Sequence, residues 1–190
     1  MLVLLFGILI FLGVHSLTSF RETRGILVER LGLGPYKGLY SLLSLAGFLL
    51  IVWGFARYRA GGLIPLWTPP DWTRPLAVVL MWLAFVALAA AYVPPGKIKG
   101  WLRHPMLVAI KIWAAAHLLA NGDLGALILF GSFLAWAVYD RIAVKKRGDL
   151  GAPRVEAFTR GDGAALGVGT AAFVAMLYLH PVLIGVPVTG

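Results

Sequence analysis

Apolar residues occur along this chain in long blocks, without the one-sided spacing of a half-buried surface helix. An α-helix needs roughly 20 apolar residues to cross a bilayer, because in hydrocarbon its backbone N–H and C=O groups must be bonded within the segment. Six blocks approach that length, at residues 1–18, 37–55, 74–93, 105–120, 124–139 and 163–185. The pattern predicts an all-α fold: a polytopic membrane helical bundle of about six transmembrane helices, forming a single domain over residues 1–190.

The connections between blocks carry turn and capping signals. At Asn121-Gly122-Asp123 we expect a tight helical hairpin, with Gly122 in the left-handed conformation and Asp123 capping the next helix. The connection at residues 65–72 holds three prolines and two tryptophans. It predicts an interfacial loop whose tryptophans lie among lipid head groups. The first block lacks a basic leader and a small-residue cleavage site, so we interpret it as a retained helix.

Small residues recur at helical spacing on two blocks. Such stripes let helix backbones approach closely in lipid, so they predict helix packing. The stripes are Ser41, Ser44 and Gly47 on the second block, and Gly163, Gly167, Ala171 and Ala175 on the sixth.

The net charge of +9 is informative because its basic residues are distributed unevenly among the loops. Alternate loops differ in basic residues, which number thirteen in the first, third and fifth loops against three in the other two. The larger set is Arg21, Arg24, Arg30, Lys37, Lys97, Lys99, Arg103, Arg141, Lys145, Lys146, Arg147, Arg154 and Arg160, and the smaller is Arg57, Arg59 and Arg74. This asymmetry predicts cytoplasmic odd loops and both termini outside. Topology and anionic head groups account for the charge, so nucleic acid is not an expected partner.

The composition also restricts the available chemistry. The chain has no Cys, which excludes disulfides, Fe–S clusters, thiolate catalysis and a Cys-based zinc site, so a metal or haem would depend on His. No Asp or Glu falls well inside a block, which argues against a paired-carboxylate site. The polar groups at membrane depth are the four histidines and Lys111, and each is a site candidate because such groups are costly in lipid.

These five residues differ in depth and helix face. His15 and His104 match in depth near the cytoplasmic side, whereas His117 and His180 approach the outer side. At 100° per residue, Lys111 lies within about 20° of His104 and His117 is turned about 140° away, beside Trp113. Lys111 can extend its ammonium to the cytoplasmic head groups or pair with a propionate or lipid phosphate. His180 precedes a proline at the membrane edge, which favours a structural role.

His15 and His117 each lie in an apolar run without a neighbouring charge. A neutral imidazole held in a helical bundle is a good iron ligand. It is equally a good hydrogen-bond partner for a Ser or a backbone carbonyl. From the residues alone both interpretations stay open, and matching depth would pair His15 with His104.

Four motifs recur in order over most of the first 140 residues. They are Phe-Leu-Gly-Val-His-Ser at 11–16, Tyr-Lys-Gly-Leu-Tyr-Ser-Leu at 36–42, Arg-His-Pro-Met at 103–106 and Ala-His-Leu-Leu-Ala-Asn-Gly-Asp at 116–123. In these the chain resembles the NnrU family, bacterial membrane proteins named for an association with nitrite and nitric oxide reduction. That family is related to the plant 15-cis-zeta-carotene isomerases, which are membrane proteins that use haem b.

The resemblance implies a haem b site. The haem-binding histidines of the isomerases correspond to His15 and His117, which would be the metal ligands, with His104 and Lys111 as further candidate cofactor contacts. Helix rise places His15 and His117 about 10 Å apart in depth, which a tilted helix could absorb. The isomerases have a Cys where this chain has Ala114, so ligand exchange with a thiol is unavailable. A bacterial inner-membrane location is implied, with a role in denitrification or an isomerase-like redox reaction.

Two other classes of function remain as alternatives. Small membrane methyltransferases of the isoprenylcysteine or phospholipid type also carry an Arg-His-Pro segment, here Arg103-His104-Pro105, before a helical hairpin. They usually have an acidic pair after an Arg near the last helix, and Asp140-Arg141 is not followed by one. The third class is a non-enzymatic accessory subunit of a respiratory complex. Expected partners are therefore the lipid bilayer and either an apolar small molecule or a respiratory membrane protein.

Overall fold

The computed structural model describes residues 1–188, which form eight helices and no strand beyond one isolated bridge. The helices are α1 Leu2–Ser16, α2 Arg21–Leu31, α3 Leu33–Ala60, α4 Thr73–Tyr92, α5 Lys97–Leu102, α6 Pro105–Ala120, α7 Leu124–Lys146 and α8 Arg160–Ile184. Each of the six predicted blocks coincides with one helix. The all-α prediction is therefore confirmed.

Four of these helices, α3, α4, α7 and α8, are long and apolar enough to cross a membrane. The α1–α2 pair passes the same test together, but it is bent by 88° at the break between the two helices. Helix α6 is apolar and only 16 residues long. Large apolar side chains stay exposed along the long helices, as expected where lipid rather than water is the solvent. Four or five clear spans and one shorter apolar helix agree with the prediction of about six.

Two helices and two C-terminal helix extensions were not predicted. Both α2 and α5 lie in segments expected to be loops, because short helices rich in Arg, Lys and Glu leave no apolar block to detect. Helix α3 continues to Ala60 and α7 to Lys146, beyond the predicted ends at 55 and 139. Basic residues fill the last turn of each, where the helix dipole favours positive charge and long side chains reach the head groups.

The chain divides into two compact units. Unit 1 comprises Met1–Leu66 and Asp123–Ser132, and unit 2 comprises Trp67–Gly122 together with the described residues from Phe133 onward. In unit 1, α1 packs along α3. A Cβ added at Gly47 would lie 2.8 Å from the Phe11 nitrogen, so the predicted packing through Gly47 is confirmed.

In unit 2, α4 packs against both α6 and α8. Helices α4 and α8 are antiparallel, since Gly161 lies beside Pro94 and Gly169 lies beside Val86. The predicted stripe that begins at Gly163 is wrong as an internal packing face. Gly163 and Gly167 are exposed, and a Cβ on either would meet nothing within 4 Å. The face that packs is the neighbouring one, formed by Gly161, Ala165 and Gly169, all of which are buried.

The connection between α6 and α7 confirms one prediction and corrects another. Asp123 caps α7, because its Oδ1 accepts a hydrogen bond from the Ala126 N–H at 2.9 Å. Gly122 does not adopt the left-handed conformation that we expected. A glycine stands there because the backbone of the Pro-rich loop approaches it: a Cβ would collide with the Trp67 carbonyl, and the Trp67 N–H donates to the Gly122 carbonyl at 3.0 Å.

Candidate functional site

His15 lies near the end of α1, in unit 1, and its ring is half-buried among aromatic side chains. Its Nδ1 bonds the carbonyl oxygen of Phe11, one turn earlier, at 2.7 Å. The ring stacks on Phe11 with centroids 4.1 Å apart, and the Tyr40 ring lies tilted at 5.5 Å. A carbonyl can only accept a hydrogen bond, so Nδ1 carries the proton and Nε2 is the basic nitrogen in the neutral ring.

His117 repeats this arrangement in the last turn of α6, in unit 2. Its Nδ1 bonds the Trp113 carbonyl at 2.9 Å, and the two rings lie 5.4 Å apart. The predicted proximity of His117 to Trp113 is therefore confirmed. The carbonyl of His117 in turn accepts the side-chain N–H of Asn121 at 2.8 Å. The ring is thus held from its Nδ1 side, with Nε2 again as the basic nitrogen.

His117 lines a partly open cavity of about 320 Å³ enclosed by α4, α6, α8 and the residues after α8. Its polar lining is Arg74, His117, Asn121 and His180. All four lie at one end of unit 2, where α4 begins and α6 and α8 end. The other lining residues are apolar: Ala77, Val78, Met81, Phe85, Ala116, Ala120, Phe173, Met176, Leu177, Val186, Pro187 and Val188. The cavity therefore has a polar end and an apolar body.

His180 and Arg74 reach this cavity from helices that the sequence did not connect with His117. The Nδ1 of His180 bonds the Val186 carbonyl at 2.7 Å, which ties the residues after α8 back to the helix. That bond agrees with the structural role expected of His180, although the residue also lines the cavity. In the sequence Arg74 is one of the basic residues between apolar blocks, and none of its neighbours marks it as a site residue.

His104 and Lys111 do not line the cavity. His104 precedes α6 as its N-cap, and its Nε2 bonds the Asp149 carbonyl at 3.3 Å. The preceding Arg103 has a positive φ of 62°, and its carbonyl accepts the Ala152 N–H at 2.8 Å. His104 thus belongs to a hydrogen-bonded turn at the start of α6. Lys111 is half-buried further along the helix.

Asp162 is a buried residue that the sequence analysis missed. Only 2% of its surface is exposed, and its carboxylate accepts the N–H groups of Lys97, Ile98 and Thr159 at 3.0, 2.7 and 2.8 Å. It thereby completes a capping box with Thr159 at the start of α8 and caps α5 as well. The Thr-x-x-Asp spacing is the sequence signal of a capping box, but Asp162 lies just outside the sixth apolar block. Its role is structural.

The described residues contain no group of three or more His, Asp or Glu side chains that could hold a metal ion by themselves. A haem differs because its porphyrin supplies four ligands and the protein needs to supply only one or two. The histidines present therefore suit a haem better than a chelated ion. His15 belongs to unit 1 and His117 to unit 2, so their pairing stays a prediction.

Comparison with known proteins agrees with the motifs. The family model described as NnrU protein matches residues 3–188, which include all four motifs and every candidate residue discussed above. Neither curated proteins nor solved structures give a match. Because the family model covers nearly the whole chain, the chain belongs to the NnrU family.

Proposed function

We propose that this NnrU-family membrane protein binds haem b, and that His15 and His117 would hold its iron. The observation that carries the proposal is the shared geometry of the two histidines. Each donates its Nδ1–H to the carbonyl four residues earlier on its own helix, at 2.7 Å for His15 and 2.9 Å for His117. Metal-binding histidines commonly donate their second N–H to such a carbonyl, which orients the ring and makes Nε2 the ligand atom.

The same comparison separates His104 from this pair. His104 bonds a carbonyl through Nε2 rather than Nδ1, and the carbonyl belongs to Asp149 in the loop after α7. That bond requires the proton on Nε2, so Nδ1 is the basic nitrogen of a neutral His104 ring. The local geometry thus favours the pair given by the resemblance over the pair suggested by matching depth.

The surroundings of His117 suit a haem in two further respects. Most of the cavity wall is apolar, which excludes water from a bound macrocycle, and Arg74 places a cation at its polar end. Ala114 stands where the isomerases have a Cys, so no thiolate would compete with His117 for the iron. His104, just before α6, and Lys111, near the middle of the helix, are proposed as peripheral contacts. Lys111 can pair with a propionate or a lipid phosphate.

Haem b would supply one-electron redox chemistry or a coordination site for a small molecule. The chain's own residues would bind it, fix its orientation and exclude water. We propose that this capacity serves a membrane redox reaction, either linked to nitrite and nitric oxide reduction or similar to carotenoid isomerisation. The proposed location is the bacterial inner membrane, with an apolar substrate or a respiratory protein as partner.

An absorption spectrum tests this proposal directly. Protein expressed with ample haem and purified in detergent should show a Soret band and a pyridine haemochrome typical of haem b. His15→Ala and His117→Ala should each shift the spectrum or lose haem, because each removes a nitrogen that would bind the iron. His104→Ala tests the alternative pair and should keep the spectrum, because the proposal gives His104 a peripheral contact and no bond to the iron. A colourless wild-type protein, or a spectrum that depends on His104 alone, would contradict the assignment.

A further inference from the structure

The polar end of the α4–α6–α8 cavity is built around one cation. Arg74 is the only charged residue among the described residues that line it, and no acidic residue faces it there. Arg74 lies in the first turn of α4, which contains no acidic side chain. A positive charge is disfavoured at a helix N-terminus, because the helix dipole already places partial positive charge there. An anion beside Arg74 would relieve this repulsion.

The other residues that line the cavity indicate what kind of molecule carries that anion. Phe85 and Phe173 face each other edge to face, with centroids 6.2 Å apart, and form part of the wall beyond the polar end. Apolar walls with a few polar groups at one end are typical of sites for amphiphilic small molecules. The volume of about 320 Å³ is at the lower end for such sites, so a larger ligand would extend through the open side.

We infer that Arg74 binds the carboxylate of an apolar ligand seated in this cavity. A guanidinium pairs with a carboxylate through two parallel hydrogen bonds, which an ammonium cannot reproduce. The ligand's identity rests on the function proposed above: with haem b bound at His117, the carboxylate is a propionate. A long-chain fatty acid offers the same chemistry from the surrounding lipid. Lys111, for which the sequence suggested a propionate partner, does not line the cavity.

The test compares two ligands that differ only in the carboxylate. Purified wild-type protein and Arg74→Gln are titrated with haem b and with its dimethyl ester, and binding is followed by absorbance. The variant should bind haem b about 2- to 5-fold more weakly, as expected for one exposed charge pair, and the ester with unchanged affinity. Arg74→Lys should restore part of the loss.

Arg160→Gln is the matched control, since Arg160 is also an exposed arginine in the first turn of a long helix but lies at the start of α8. It should leave both affinities unchanged. If Arg74→Gln weakens haem b and the ester equally, Arg74 only supports the fold and the inference is wrong. Unchanged affinity for haem b would overturn it as well.

A second arm separates this inference from the haem proposal. The same proteins are titrated with oleate and with methyl oleate, using tryptophan fluorescence. If the wild type binds no haem but prefers oleate over its ester in an Arg74-dependent way, the haem proposal fails and the carboxylate site stands. If haem binds and Arg74 does not discriminate acid from ester, the haem proposal stands and this inference fails. If the wild type binds neither haem b nor oleate more tightly than the corresponding ester, the carboxylate site is rejected.

Discussion

At the scale of single residues, Asp162 places an almost fully buried carboxylate in unit 2. A carboxylate is costly to bury unless its oxygens accept hydrogen bonds, and three backbone N–H groups from two separate segments donate to it. Those donors are among the groups that a helix leaves unpaired at its start. One side chain therefore satisfies the first turns of both α5 and α8.

Asp162→Asn should lower stability, because the amide replaces one acceptor oxygen with an NH₂ group that faces backbone N–H donors. Leaving buried donors without an acceptor costs about 1–3 kcal/mol, which should appear as a lower midpoint of thermal unfolding in detergent, followed by circular dichroism. Asp71→Asn, in the exposed Pro-rich loop, is the control and should unfold like the wild type. Equal midpoints for the two variants would show that the hydrogen bonds contribute little.

The candidate site was only partly predictable at this scale. The ring of His117 beside Trp113 follows from residues one helical turn apart, so periodicity suffices to predict it. The joining of His117 with Arg74 and His180 depends on how α6 and α8 pack against α4, and no local pattern encodes that. Gly122 was selected for the close approach of Trp67 rather than for a left-handed turn, and only the folded chain shows the difference.

At the scale of elements, the pairing of α1 with α3 depends on glycines that let two backbones come together. Gly47 faces Phe11, and Gly54 faces Leu4, whose side chain is fully buried. Without a hydrophobic driving force between helices in lipid, such close contact supplies much of the attraction. The aromatic environment of His15 lies along the same pair of helices, through Phe11 and Tyr40.

Gly47→Leu should separate α1 from α3 and disturb His15. The new side chain has no room beside the Phe11 backbone, and overpacking of this kind costs about 1–3 kcal/mol or more. The measurable result is a lower unfolding temperature and, for a protein that binds haem as proposed, reduced haem retention. Gly38→Leu, on the same helix with nothing within 4 Å of its added Cβ, should change neither. If both variants retain wild-type stability, the glycine contact is dispensable.

Element prediction succeeded wherever hydrophobicity alone defines a helix. The six apolar blocks mark α1, α3, α4, α6, α7 and α8 because lipid forces long uncharged segments into helices. Hydrophobicity does not predict the short helices α2 and α5, since charged residues are frequent in both. Helix ends were placed too early wherever a last turn carries Arg or Lys, because hydropathy drops before the helix does.

At the scale of the whole molecule, the charge asymmetry predicts the orientation of the chain. Reporter fusions after Lys99 and after Lys146 should behave as cytoplasmic, because the connections around them carry most of the basic residues. A fusion at Gly190, which lies outside the described residues, should behave as external. Both α5 and the end of α7 then face the cytoplasm. A cytoplasmic C-terminus would reject this topology.

The double cap by Asp162 also has a consequence for biogenesis. Asp162 follows its partner Lys97 by 65 positions, so the ribosome must synthesise α6, α7 and the loop beyond them before the carboxylate emerges. Until then the N–H groups that open α5 have no acceptor from α8. The first turn of α5 is therefore completed only after the start of α8 has been translated. A chain that stops short of α8 would leave the N–H groups of Lys97 and Ile98 without this acceptor.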